Sequence, residues 1–137
     1  MNNHAVRHLL LGRSPWTLAL MFALAGACSG WTMDYGTPAA QFEARDAAAL
    51  AAAHLGEKVS VRGEVLAVDT SDPDACVVTL EHGVTARFGR SSAMAAEYAA
   101  GEVAYIDGIV RSAAGGALVL DPAMGRDPTA TFEPQRR

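Results

Sequence analysis

The stretch Gly56-Glu-Lys-Val-Ser-Val-Arg-Gly-Glu-Val65 decides the fold, because it changes the sequence period from helical to alternating. Val59 and Val61 alternate here with polar residues, which is typical of a strand with one buried face. From Leu66 onward the apolar positions continue in the opposite phase. Gly63 lies close to this switch, so we expect a bulge or a sharp bend there.

The sequence before this stretch predicts a helix over residues 39–55. The segment is rich in alanine, the best helix former, and carries charged residues such as Glu43 and Arg45. Thr37-Pro38 suits a helix start, and Gly56 suits a C-terminal stop. Five residues at helical spacing would share the buried face of this helix: Phe42, Ala49, Leu50, Ala53 and His54.

Two more strands are predicted after the first one, joined by a tight turn. A polar loop over residues 69–74 leads into the alternating stretch 76–80. His82-Gly83 then marks a hairpin turn before the alternating stretch 84–88. The inward positions of these two strands would be Cys76, Val78, Leu80, Val84, Ala86 and Phe88.

A helix and a second hairpin complete the predicted elements. The serine pair at 91–92 suits the N-cap of a helix over residues 93–100. Residues 103–110 and 117–120 then read as two strands of a hairpin. Asp121-Pro122 would end the second strand, because proline cannot donate a hydrogen bond to a sheet.

The predicted order over residues 57–123 is strand, strand, strand, helix, strand, strand. A long bent first strand, a hairpin, a helix before the fourth strand and a closing hairpin are typical of an OB-fold barrel. Glycines in the first and fourth strands fit, because strands of a small barrel must turn corners. We therefore predict a mainly β fold with helices: a five-stranded OB-fold-like barrel preceded by an N-terminal α-helix. A small open β-sandwich or an SH3-like barrel is the alternative architecture.

Two glycine-containing strands also carry a resemblance to a known family. The stretch 56–65 resembles the opening strand of the tRNA-anti-like group of bacterial OB-fold lipoproteins, roughly "G-K-x-V-x-V-x-G-x-V". Gly101-Glu-Val-Ala-Tyr-Ile-Asp-Gly-Ile-Val110 resembles the fourth strand of that group. The resemblance covers about half of the chain and implies the barrel, because these motifs encode strand geometry. The family name records nucleic-acid-binding ancestry, and no functional residue is carried over.

The N-terminus has the pattern of a secretory signal. Arg7 and Arg13 lie in a segment without acidic residues, and residues 16–27 carry no charge. The run Leu24-Ala-Gly-Ala-Cys28 looks like a bacterial lipobox, in which Cys28 becomes lipidated and then forms the new N-terminus. The usual aliphatic position, three residues before the cysteine, holds alanine here.

Three readings of this segment therefore stay open. The first is a lipoprotein anchored to the membrane through lipid at Cys28, and Ser29 would favour sorting to the outer membrane. The second is cleavage after Ala27 with release of a soluble protein. The third is an uncleaved membrane anchor, although the apolar run is short for a bilayer span. All three place the rest of the chain on the periplasmic side of a bacterial membrane.

These observations divide the 137 residues into four parts. They are a signal peptide or membrane anchor (1–27), a tether (28–38), the helix plus OB-like barrel (39–123) and a polar C-terminal tail (124–137) without fixed structure. Without Arg7 and Arg13, nine basic residues face 15 acidic ones, so the net charge changes from −4 to −6. An acidic body argues against a general nucleic-acid binder.

The candidate ligand-binding residues lie where OB-folds usually bind, on the second and third barrel strands and the adjoining loop. The outward side chains predicted there include Thr79, Glu81, Thr85 and Arg87. The loop adds three carboxylates, Asp69, Asp72 and Asp74, which would repel phosphate. Single-stranded nucleic acid needs basic grooves with aromatic platforms, and this face predicts neither.

No sequence pattern indicates a metal site, a cofactor or an enzyme. The three loop aspartates lack the spacing and the distal glutamate of an EF-hand. His54 and His82 have no further ligand at zinc spacing, and no nucleophile-elbow or phosphate-loop motif occurs. Cys76 is expected to be a buried thiol, the alternative being a disulfide with an unlipidated Cys28.

The sequence therefore predicts a non-enzymatic OB-fold binding or adaptor module of the bacterial cell envelope. Its partner would be a protein or a small envelope ligand. The alternative function is an OB module that binds single-stranded nucleic acid or oligosaccharide. A third hypothesis is a purely structural domain without a ligand.

Overall fold

The computed structural model describes residues 37–137, which form a mainly β fold. Its strands are β1 (Ala40–Glu43), β2 (Lys58–Asp69), β3 (Val77–Leu80), β4 (Val84–Arg87), β5 (Val103–Ala114) and β6 (Ala117–Gly125). Two short α-helices are α1 (Ala44–Leu50) and α2 (Ser92–Ala95). The predicted signal segment 1–27, the lipidation site Cys28 and tether residues 29–36 lie outside the described residues.

Five of the strands close into a barrel. β2 pairs antiparallel with β3, β3 with β4, and β5 with both β6 and β2, while β4 and β6 run parallel. The barrel strands, numbered in chain order, therefore follow each other as 1-2-3-5-4 before closing on strand 1. A closed five-stranded barrel of this order, with a helix between its third and fourth strands, confirms the predicted OB-like fold.

β2 bends because its two halves pair with two different strands of the barrel. Its first half pairs with β5 and its second half with β3. The predicted bulge is present at Leu66, since Val65 pairs with Leu80 and Ala67 already pairs with Thr79. Leu66 is thus the extra residue, and its side chain is exposed.

Gly63 of β2 lies directly against the first residue of α1. A Cβ atom at this position would lie 2.6 Å from the Cβ of Ala44, the first residue of α1. Two real atoms do not approach so closely, so any larger residue would push α1 away from the barrel. Glycine is therefore required here for helix packing.

The predicted helix over residues 39–55 is wrong at its beginning. Ala40–Glu43 forms β1, which pairs in parallel with Val59–Arg62 of β2. Every second residue of β1, namely Ala40 and Phe42, points into the core. Burial of these side chains outweighs the helix propensity of the alanines. α1 begins only at Ala44, and a 3₁₀ turn follows over Ala51–His54.

The predicted buried face of this helix is correct only in part: Phe42 is fully buried, although it lies in β1, and Leu50 is half-buried against the core. Ala49 and Ala53 are exposed, and the side chains that pack on the barrel are the small ones of Ala44, Ala47 and Ala51. α1 packs against the turn Glu81–Gly83 and the adjoining strands, at one end of the barrel.

α2 is shorter than predicted and lies beside β6 and β3. It ends at Ala95, and the remaining residues of the predicted helix form turns and irregular backbone. Ser92 does not cap it: its Oγ accepts a hydrogen bond from the N–H of Cys76 at 3.0 Å and donates one to the carbonyl of Gly89 at 2.7 Å. The serine therefore ties this helix to the start of β3.

β6 continues beyond the predicted stop at Asp121-Pro122. Leu120 pairs with Val110 and Ala123 pairs with Gly108, so two residues of β6 face only Ile109 in this interval. Pro122 thus falls in an irregularity of the ladder, where its missing N–H leaves no partner unsatisfied.

The core lies inside the barrel. All six inward positions predicted for the second and third barrel strands are buried, and Cys76 is a free, buried thiol as expected. The largest fully buried side chains are Phe42, Phe88, Leu80, Ile106, Leu118 and Leu120. None of the helices within residues 37–137 is long and apolar enough to cross a membrane.

Candidate ligand-binding faces

The open face consists of the outward side chains of β3, β4 and β6. Thr79 and Thr85 are register partners on β3 and β4, and Thr85 is the partner of Val119 on β6. Beside this row, Nη1 of Arg87 lies 4.0 Å from Oδ2 of Asp121, with side chains 57% and 40% exposed. The open face is therefore a shallow strip of small side chains with one loose ion pair.

Glu81 lies at the end of this face, in the turn Glu81–Gly83. One carboxylate oxygen accepts a hydrogen bond from the N–H of Glu64 at 3.3 Å, and the other lies 3.7 Å from Nε2 of His82. His82 adopts the left-handed conformation with φ 59°. This turn directs Glu81 toward β2, so the structure brings together Thr79, Thr85 and Arg87 and leaves Glu81 at their margin.

The three loop aspartates shape their own loop. Oδ1 of Asp69 accepts hydrogen bonds from the N–H and the hydroxyl of Ser71, at 2.9 and 2.6 Å, and Oδ1 of Asp72 accepts one from the N–H of Asp74. The hydrogen bonds from Ser71 lower the pKa of Asp69 below its ordinary value, because they stabilise the ionised form. All three residues are exposed beside the open face, since Asp69 pairs with Val77. Within residues 37–137, no group of three or more histidine, cysteine or acidic residues could hold a metal ion.

The covered face consists of the outward side chains of β2 and β5, under the C-terminal tail. Its centre is Asp107, a carboxylate with 8% of its side chain exposed. Ser60, fully buried, donates a hydrogen bond to Oδ1. Nζ of Lys58 and Nη1 of Arg126 lie 3.7 and 3.5 Å from Oδ2. One buried carboxylate thus holds two cationic side chains, one from β2 and one from the tail.

An arginine and two aromatic rings form the other half of the covered face. The guanidinium of Arg62 lies 4.7 Å from the ring centre of Phe132 and 5.6 Å from that of Tyr105. The two rings meet edge to face, with centres 5.4 Å apart. Nε and Nη2 of Arg62 donate to the carboxylate of Glu43, and this contact raises the pKa of Arg62 further above its ordinary value. The guanidinium is therefore permanently charged and compensated.

The tail is ordered along β5 and β1, contrary to the prediction of a segment without fixed structure. The N–H of Arg126 donates to the carbonyl of Tyr105 at 2.8 Å, and the N–H of Gln135 donates to the carbonyl of Gln41 at 2.8 Å. At its end, Nε of Arg137 lies 3.4 Å from a carboxylate oxygen of Asp46 on α1. Backbone pairing with β1 fixes this polar segment, and sequence patterning does not reveal such pairing.

Sequence reasoning missed the covered face. Two signals were present: Asp107 stands among apolar residues in the middle of a strand, and Phe132 is a large aromatic residue in a polar tail. A charged group at such a position requires a partner when it is buried. The partner, Arg126, is 19 residues away in sequence.

A cavity of about 380 Å³ adjoins the covered face, between α2 and the start of the tail. It is lined by apolar, aromatic and charged side chains, among them Met94, Glu97, Tyr98, Glu102, Tyr105 and Arg126. Burial, assisted by the charges of Glu97, Glu102 and Asp107, raises the pKa of Tyr98. The phenol therefore stays protonated at neutral pH.

Solved structures similar to this chain exist, whereas two other comparisons find no match. No protein-family model matches the chain, and no curated protein matches it. Among solved structures, it is similar to a putative nucleic acid-binding lipoprotein from Klebsiella pneumoniae, with 21% identity and a TM-score of 0.42 over 61% of this chain and 79% of that one. It is also similar to the asparaginyl-tRNA synthetase of Entamoeba histolytica, with 17% identity and a TM-score of 0.41 over 68% of this chain.

Both likenesses are too distant to carry an argument about this chain. This chain spans 25% of the length of the synthetase, and both TM-scores lie below 0.5. Neither neighbour therefore supports an argument about a site. The strand order defines the chain as an OB-like barrel protein, which is a class of fold that hosts many functions.

Proposed function

We propose that this protein is a non-enzymatic binding or adaptor module of the bacterial cell envelope. It contacts a protein or a small polar ligand through the open face and the Asp69–Asp74 loop. The observation that carries the proposal is the geometry of this face: β3, β4 and β6 present half-exposed side chains in one shallow strip.

The charges of the open face support a partner of mixed polarity. Arg87 is compensated by Asp121, and the hydroxyls of Thr79 and Thr85 offer both donors and acceptors. The adjoining loop adds exposed carboxylates, which favour a partner with basic groups and oppose a phosphate chain.

Site-specific photo-crosslinking in intact cells tests this proposal. A photoreactive residue replaces Thr85 in the full chain, and the matched control replaces Ala49, an exposed residue of α1. We expect a defined crosslinked species from position 85 only. We also expect Asp72→Lys, which reverses one exposed carboxylate of the loop, to reduce its yield at least about tenfold, because the loop then repels a basic partner. Equal crosslinking from both positions would contradict the proposal.

Binding of single-stranded nucleic acid, the alternative function, can be measured separately. Gel-shift titration with single-stranded oligonucleotides at several salt concentrations measures nucleic-acid binding directly. We expect no shift that weakens with salt. A salt-dependent shift reduced by Arg87→Glu would replace the proposal with nucleic-acid binding at the same face.

The envelope location is proposed from the N-terminal sequence. We infer lipidation of Cys28 after cleavage of residues 1–27, with sorting of the lipoprotein to the outer membrane. Cys28→Ser should move the protein from the membrane to the soluble fraction and remove the acyl mass. Cys76→Ser is the matched control, and it should leave both unchanged because that thiol is buried in the barrel. A mature N-terminus at any other residue would contradict lipidation.

A further inference from the structure

The last residues of the tail run along the outer edge of β1 and make one backbone bridge to it. The backbone of Gln135 bridges to Phe42 of β1 in parallel and donates to the carbonyl of Gln41. Within the described residues, the buried apolar side chains that form the core end at Met124. The barrel core is therefore complete without residues 131–137.

Phe132 occupies a slot that the barrel strands build. The slot consists of Arg62 on β2, Tyr105 on β5 and Glu43 on β1, as described above. Nε of Arg62 and the carboxylate of Glu43 are 3.1 Å apart, so the charge in the slot is compensated without any tail residue. An aromatic side chain from another source would meet the same ring and the same guanidinium.

Two different kinds of contact hold the tail. Its start is fixed by Arg126, whose side chain is mostly buried against Asp107. After the exposed turn around Asp127, the remaining polar contacts lie at the surface, including those made by the N–H of Glu133 and by Arg137. Exposed contacts of this kind contribute little each. Residues 131–137 are therefore held by the Phe132 contacts and by weak surface contacts, one of which runs from Nη2 of Arg126 to the carbonyl of Thr131 at 3.0 Å.

We propose that the edge of β1 together with the Phe132 slot is an acceptor groove for an extended peptide segment of a partner protein. The peptide adds to β1 through its backbone and places an aromatic side chain in the slot. Residues 131–137 occupy this groove within the chain and are displaced by the partner. This surface is separate from the open face, so the inference does not depend on the proposed function.

A peptide titration tests the groove with the full chain. The probe is a fluorescent synthetic peptide with the sequence of residues 129–137, and fluorescence anisotropy measures its binding. Phe132→Ala should bind this peptide at least about tenfold more tightly than the unaltered chain, because its own tail competes less well. Arg136→Ala, a substitution at an exposed tail position, is the matched control and should behave like the unaltered chain.

The chemistry of the slot is tested with an altered peptide. Replacing its phenylalanine by alanine should abolish binding to the Phe132→Ala chain. Equal binding of both peptides, or equal affinity of both chains, would overturn the proposal. Self-association of the Phe132→Ala chain in sedimentation, in place of peptide binding, would assign the groove to a second copy and also overturn it.

Hydrogen exchange on the unaltered chain keeps the proposal testable if Phe132→Ala does not fold. The amides of Glu133 and Gln135 should exchange by local opening, at least about 100-fold faster than the amides paired between β2 and β5. Equal protection of these two groups of amides would show that the tail opens only with the barrel, and would overturn the inference.

Discussion

The open face and the covered face are both outer surfaces of the same barrel, yet they differ in almost every physical property. Thr79 and Thr85 on the open face are half-exposed and small, and their charged neighbours form one loose pair at 4.0 Å. Ser60 and Asp107 on the covered face are buried, although they also point away from the core. The difference arises because the C-terminal tail crosses only the second surface. An outward position in a strand is thus exposed only if no other segment packs over it.

The largest expected difference between the two faces concerns their carboxylates. Asp107→Asn removes the charge that compensates Lys58 and Arg126, which are both mostly buried, and should lower the free energy of unfolding by about 3 kcal/mol. Asp121→Asn breaks only the exposed pair with Arg87 and should lower it by less than about 0.5 kcal/mol. Urea unfolding followed by circular dichroism measures both values. Equal losses would remove the energetic distinction between the faces.

A smaller difference is expected for the uncharged side chains. Phe132→Ala removes the edge-to-face contact with Tyr105 and the contact with Arg62, and should lower the free energy of unfolding by about 1–2 kcal/mol. Thr85→Ala on the open face should change it by less than about 0.5 kcal/mol. Thermal unfolding provides the measurement. A neutral Phe132→Ala would mean that the tail does not stabilise the covered face.

The smallest effects concern two turns of the same type, one beside each face. Ser71 and Thr129 donate hydrogen bonds that lower the pKa of Asp69 and Asp127, respectively. A depressed pKa in the folded state contributes stability that is present above the unfolded pKa and is lost as the pH falls through the folded value. Ser71→Ala should raise the pKa of Asp69 alone, and Thr129→Ala that of Asp127 alone. NMR titration of the side-chain carboxyl signals below pH 5 checks this. A change in the pKa of Asp127 caused by Ser71→Ala, or in that of Asp69 caused by Thr129→Ala, would show that the two turns are not independent.

Local patterns predicted the strands that form the barrel well. Alternation placed Val59 and Val61 inside, the phase switch near Gly63 predicted the bulge, and the strand order predicted an OB-like barrel. These features follow from a period of two, which depends only on neighbouring residues and on one buried face. The candidate residues Thr79, Thr85 and Arg87 came from the same alternation, and the structure places them side by side.

Segments that depend on distant partners could not be predicted in the same way. Ala40 to Glu43 reads as helix from composition, but pairing with β2 makes it a strand. The polar composition of the tail predicts a segment without fixed structure. Its pairing with β1 and the ion pair between Arg126 and Asp107 hold it on the barrel instead. In each case the contact joins residues 19 or more positions apart, and a local pattern carries no information on such a contact.

The sequence by itself determined the alternating strands, their inward core residues and the acidic character of the body, and it predicts an export segment before Cys28. Each of these depends on residue type and short-range spacing, which the chain carries wherever it folds. The tertiary structure alone decided the course of residues 40–43, the alanine face of α1, the burial of Asp107 and the contact between Arg62 and Phe132. The physical reason is that burial depends on which segment packs over a surface, and that choice is made by the whole barrel.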